Sequence, residues 1–118
     1  MSAKLEALSQ KLQDQFGNQL LSLKTVLGEV TLEVAAKDYL SMMRSLRDLP
    51  EFGFEELTDL CGVDYSAYGD GVWKGARFAV VTHLLSISNN WRLRVRVFAE
   101  DDDFPAVDSI TDVWASVN

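Results

Sequence analysis

The chain has 118 residues, a formal net charge of −7 and an ordinary apolar share of 47%. That length suits one domain with a real core, and no apolar run approaches the roughly 18–20 residues of a membrane span. A single cysteine, Cys61, excludes an internal disulfide framework and any multi-cysteine metal site within the chain.

The charge is unevenly placed. The last 19 residues hold six acids and no base, whereas acids and bases nearly balance before them. This argues against general nucleic-acid binding and places the complementary positive charge on another chain. The start, MSAKLEAL, lacks the apolar stretch of a signal peptide, so a cytoplasmic setting is the expectation.

Residues 2–16 read as an amphipathic helix, with Leu5, Leu8, Leu12 and Phe16 near helical spacing and Gly17-Asn18 as its stop. Leu20–Leu27 and Glu29–Ala35 read as two strands about Gly28. The second alternates Val30, Leu32 and Val34 against Glu29, Thr31 and Glu33, so one face is wet. Lys37–Leu49 is a second helix, closed by Pro50, with Tyr39, Leu40, Met43 and Leu46 as its apolar face. A third strand is expected over roughly Leu57–Tyr65, then a turn-rich loop over Ser66–Gly75.

The centre is a hairpin within Arg77–Ala99. Phe78–Ile87 is apolar almost throughout, which predicts a strand buried on both faces. Asn89-Asn90 fits a two-residue turn. Beyond it, Trp91, Leu93, Val95 and Val97 alternate with Arg92, Arg94 and Arg96, the pattern of a strand with one wet face. Asp101–Pro105 breaks the chain, and Ser109-Ile110-Thr111-Asp112 has the form of a capping box for a short helix. Such a helix is marginal by itself, so residues 105–118 are expected to fray. The order α-β-β-α-β-β-β-α predicts a two-layer α+β domain over 1–118, with a mixed, mostly antiparallel sheet and helices on one face.

Few residues carry chemistry. His83, the single histidine, lies in the most apolar run and reads as a hydrogen-bonded structural histidine; a hydrolase built on it is the weakest functional reading. Cys61 reads as a small buried hydrophobe. Asp59 and Asp64, five apart in one strand, fall on opposite faces, and either fits an arginine's partner; Asp64 also fits a turn cap. Asp101–Asp103 read as a solvated turn. No catalytic, cofactor-binding or metal site is expected. Arg92, Arg94 and Arg96 leave two readings open: a solubilising face, or a docking face whose guanidinium forks grip a partner's carboxylates.

The stretches LTDLCGVDY (57–65), FAVVTHLLSISNNWRLRVRV (78–97) and SITDVW (109–114) together resemble the 30-kilodalton subunit, or C subunit, of respiratory complex I, the proton-pumping NADH:quinone oxidoreductase. The family pattern runs L-x-D-L-x-x-V-D-Y, a loop, F-x-V-V-x-H-L-x-S, a turn and R-L-R-V-x-V. An aromatic often stands where this chain has Thr82. The family's Glu-Arg-Glu run and Gly-His-Pro tail do not occur here, which reads as the N-terminal domain alone. The resemblance implies a cofactor-free structural subunit of the hydrophilic arm, supporting electron transfer from NADH to quinone. It implies other hydrophilic-arm subunits as partners, above all the large quinone-site subunit, and a peripheral place on the cytoplasmic face of the bacterial inner membrane. A stand-alone cytoplasmic protein-interaction domain is the alternative.

Overall fold

The computed structural model describes residues 3–64, 78–99 and Val113. Helix α1 (Ala3–Phe16) buries Leu8, Leu12 and Phe16, one residue per turn on a single stripe. Strands β1 (Leu20–Val26) and β2 (Glu29–Val34) form a hairpin through Leu27-Gly28, at φ 54° and 78°. Two successive positive φ values are the type I′ geometry that matches strand twist. Glycine adopts it freely; leucine does so against roughly 1–2 kcal/mol. Helix α2 (Ala36–Asp48) buries Tyr39, Met42, Met43 and Leu46. Strands β3 (Glu56–Asp64), β4 (Phe78–Ser86) and β5 (Trp91–Phe98) follow.

The strands form one sheet in the order β1-β2-β5-β4-β3. Only the β2–β5 pairing is parallel; the other three are antiparallel. Helix α1 lies against β1 and β2, and α2 against β5. Between the layers sit Val30, Leu32, Val34, Leu84, Leu93, Val95 and Val97, all buried. The expected two-layer α+β architecture is therefore found, with the first seven of the eight expected elements in the expected order. Thr82 lies wholly inside, where its Oγ1 is 3.0 Å from the Tyr39 hydroxyl of α2. Burial raises the Tyr39 pKa above its usual value, against the opposing effect of the Thr82 hydrogen bond.

Three expectations need correction. First, β4 is not deep on both faces. Thr82, Leu84 and Ser86 are buried toward the helices, and Ala79 and Val81 are buried on the other side, but Val80, His83 and Leu85 keep partial access to solvent. An apolar run reports hydrophobicity, not what covers it, and among the described residues no second helical layer lies on the open face.

Second, the β4–β5 connection is a four-residue loop, Ile87–Asn90, with Asn90 alone at positive φ, 56°. Asn89 is used otherwise. Its Nδ2 donates to the Phe52 carbonyl at 3.0 Å and its backbone N–H to Ser86 Oγ at 3.2 Å. The same corner favours glycine at Gly53, because its φ of 52° strains an L side chain, whose Cβ would also stand 3.3 Å from Ser88 Oγ.

Third, Cys61 is exposed, because β3 is an edge strand open along most of its length. A bulge separates Leu57 from Asp59, and Thr58 Oγ1 donates to the His83 carbonyl at 3.1 Å.

Val113 is buried, and its carbonyl accepts a 2.7 Å hydrogen bond from Arg47 Nη1 of α2. The remainder of the helix expected from Ser109, and the fraying expected over 105–118, lie outside the described residues.

Candidate interaction surface

The alternation along β5 places its side chains as expected. Trp91, Leu93, Val95 and Val97 are buried toward the helices; Arg92, Arg94 and Arg96 stand on the open face. Parallel pairing sets the wet residues of β2 beside them. Arg94 Nη2 donates to Glu29 Oε2 at 3.2 Å, and Arg96 Nη2 to Glu33 Oε1 at 3.0 Å. The Arg96 guanidinium also lies 5.6 Å from the Phe98 ring centre, within cation–π range. Both ion pairs are partly exposed, which limits each to about 0–1 kcal/mol.

Sequence reasoning misses these two glutamates as partners. Their alternation is legible, but the pairing that joins β2 to β5 spans more than sixty residues. Asp59, an arginine partner in sequence terms, instead accepts the backbone N–H of Leu60 at 2.9 Å. Arg92 differs from its two neighbours: it is exposed, and among the described residues it forms no ion pair.

His83 is not a core histidine. Its position in β4 opposes Arg94, so it faces the open side, with Nδ1 3.7 Å from Glu29 Oε1. A cleft of 180 Å³ opens here, lined by Glu29, Thr58, His83, Leu85 and Arg92 among others. It does not hold an activated nucleophile: the Thr58 hydroxyl donates to a backbone carbonyl, and Arg94 engages Glu29. At the same end of the sheet, Glu55 accepts the Ser88 N–H at 3.1 Å. Desolvation would raise its pKa, but hydrogen bonds from its own N–H and from Ser88 and Ser86 bring it below the ordinary value. Among the described residues no group of three or more His, Cys, Asp or Glu side chains could hold a metal, and no helix is long and apolar enough to cross a membrane.

Residues 32–118 match the family profile described as respiratory-chain NADH dehydrogenase, 30 Kd subunit. The chain belongs to this family. It is 71% identical over all 118 residues to the C subunit of NADH-quinone oxidoreductase of Dechloromonas aromatica, and 58% identical to the protein of that name from Azoarcus sp. strain BH72. In both cases the whole chain aligns but spans only 59% of the relative's length. A solved structure described as Nqo5 of the trypsin-resistant fragment (1-134) matches with a TM-score of 0.75 at 26% identity. The match covers 96% of this chain and 83% of that one. The family is the one that the stretches at 57–65 and 78–97 resemble. In this member of the 30-kilodalton subunit family, Thr82 of the sheet is reached from the opposite layer by Tyr39, on α2.

Proposed function

We propose that this chain is the N-terminal part of a cofactor-free structural subunit in the hydrophilic arm of NADH:quinone oxidoreductase, complex I. In this reading it supports electron transfer from NADH to quinone without touching an electron carrier. Its partners are other hydrophilic-arm subunits, foremost the large subunit at the quinone site, and its place is peripheral, on the cytoplasmic face of the inner membrane. The observation that carries the reading is the alignment of all 118 residues with proteins named as the C subunit of NADH-quinone oxidoreductase. Residue chemistry is consistent with it, since one cysteine cannot ligate an iron–sulfur cluster that takes four.

The open face of the sheet is the proposed docking face. Arg94 and Arg96 are held in place by Glu29 and Glu33, and Arg92 is left to meet a partner's carboxylate. The test is recovery of the other oxidoreductase subunits with an affinity-tagged subunit, together with its absorbance. Stoichiometric recovery by a colourless subunit is expected. Failure to recover any dehydrogenase subunit, or stoichiometric flavin or iron in the purified subunit, would overturn the reading.

A further inference from the structure

Strands β2 and β5 begin at one end of the sheet, where β1 and β4 finish and β3 starts. This end carries two turn tips. Leu27, in the β1–β2 turn, is 101% exposed, and Ile87, in the β4–β5 loop, is 61% exposed. Given the strand order, the two tips stand about 10 Å apart across the sheet at the usual strand spacing. Between them, at the second residue of β5, is Arg92, which lines the 180 Å³ cleft. A cavity of about 150 Å³ takes a benzene-sized group, so this cleft has room for one side chain.

Leu27 is the telling residue. Asparagine, aspartate or glycine fits the first position of a type I′ turn without strain, and leucine does not. Here leucine holds φ 54° and touches so little of its own chain that it is as exposed as in an extended peptide. The fold gains neither burial nor a relaxed backbone from it. Strain without an internal benefit points to a role outside the fold.

We infer that this end of the sheet is a protein-docking surface in which the apolar tips Leu27 and Ile87 flank Arg92. The inference rests on the proposed membership of the oxidoreductase and names the docking point within it. The occupant is another subunit of that complex, presenting a carboxylate between two shallow apolar pockets. The charge supports this: Arg92 is exposed and has no ion pair among the described residues, while Glu29 is engaged by Arg94 and Glu55 by the Ser88 N–H, so a partner's carboxylate can reach Arg92 from the solvent side. Apolar anchors around a desolvated charge are the composition of an interface centre.

The test compares variants of the tagged subunit expressed with the other oxidoreductase subunits. Leu27→Asn relieves the turn and should keep or raise the unfolding midpoint; Ile87→Ser should leave it unchanged. Together they should lower partner recovery about tenfold or more, the scale of an interface anchor. Arg92→Gln should lower recovery and flatten its dependence on salt. Leu21→Ser and Leu60→Ser, at exposed leucines elsewhere on the sheet, should recover partners as the parent does. Full recovery by the Leu27→Asn/Ile87→Ser variant, or equal losses from the Leu21 and Leu60 variants, would overturn the inference while leaving subunit membership standing. A chain that self-associates through Leu27, with no partner recovered, would replace it with a contact between copies. A parent subunit that recovers nothing and stays monomeric would overturn both.

Discussion

Thr82→Val exchanges a hydroxyl for a methyl at the centre of the core and keeps the shape. Thr82 is wholly buried and Tyr39 is 1% exposed, so water does not replace the lost partner of the Tyr39 hydroxyl. Burial also raises the Tyr39 pKa, so its O–H stays protonated and in need of an acceptor at neutral pH. A buried polar group left unsatisfied costs about 1–3 kcal/mol. For a domain of this size that is a fall in melting temperature of about 4 °C per kcal/mol. The slightly greater hydrophobicity of valine offsets only a fraction of it. Tyr39→Phe should also destabilise, by about 1 kcal/mol, because the Thr82 hydroxyl is then the orphan. With both changes no orphan remains, and the double variant should be more stable than the two single losses predict, by about 1 kcal/mol or more. Urea melts of the four proteins measure the cycle. A Thr82→Val loss under about 0.5 kcal/mol, the range of surface sites, would refute the reasoning. So would simple additivity of the two changes.

Leu84→Ala should cost about 2–5 kcal/mol in urea melts, through lost burial and the cavity left under α2. Arg94→Gln in the isolated chain should cost less than about 1 kcal/mol and the loss should shrink in high salt, because its pair with Glu29 is partly exposed. Glu55 should make the fold acid-sensitive. Its pKa in the folded chain is below the ordinary 4.5, so its contribution is complete above that pH and is lost as the pH falls through the lower, folded value. Glu55→Gln should therefore flatten the acid limb of a stability–pH profile, with its cost present near neutrality and vanishing as the pH falls below the folded value.

The residues that alternate are the easiest to place. Trp91–Val97 reads as in-out-in-out, and its apolar members are buried while its arginines face outward. The same holds for Val30, Leu32 and Val34 of β2. Periodicity is local, so a short window suffices. His83 and Cys61 mislead because both sit among apolar neighbours in strands near the uncovered edge. Hydrophobic company implies burial only where another layer is present, and α1 and α2 cover β1, β2 and β5. The partners of Arg94 and Arg96 are beyond reach for a different reason. Nothing within β2 or β5 announces that the two lie side by side and parallel. Leu27 reads as the end of a strand, since an Asn-Gly or Asp-Gly pair, the stronger hairpin signal, is absent there.

The parallel seam between β2 and β5 has a further consequence, for alignment. Each strand offers the helices a nearly uniform apolar row: Val30, Leu32 and Val34 on one, Leu93, Val95 and Val97 on the other. A slip of one residue would turn a row outward and is forbidden by burial. A slip of two would keep both rows inward, and the core alone discriminates weakly against it. The charges discriminate better. Shifted by two, Glu33 would lie beside Phe98 or Arg94 in place of Arg96, and the direct Glu33–Arg96 and diagonal Glu29–Arg94 pairs would both have to re-form in another geometry. Glu29, Glu33, Arg94 and Arg96 thus act less as glue than as an index mark, choosing one alignment among several that greasy residues would accept.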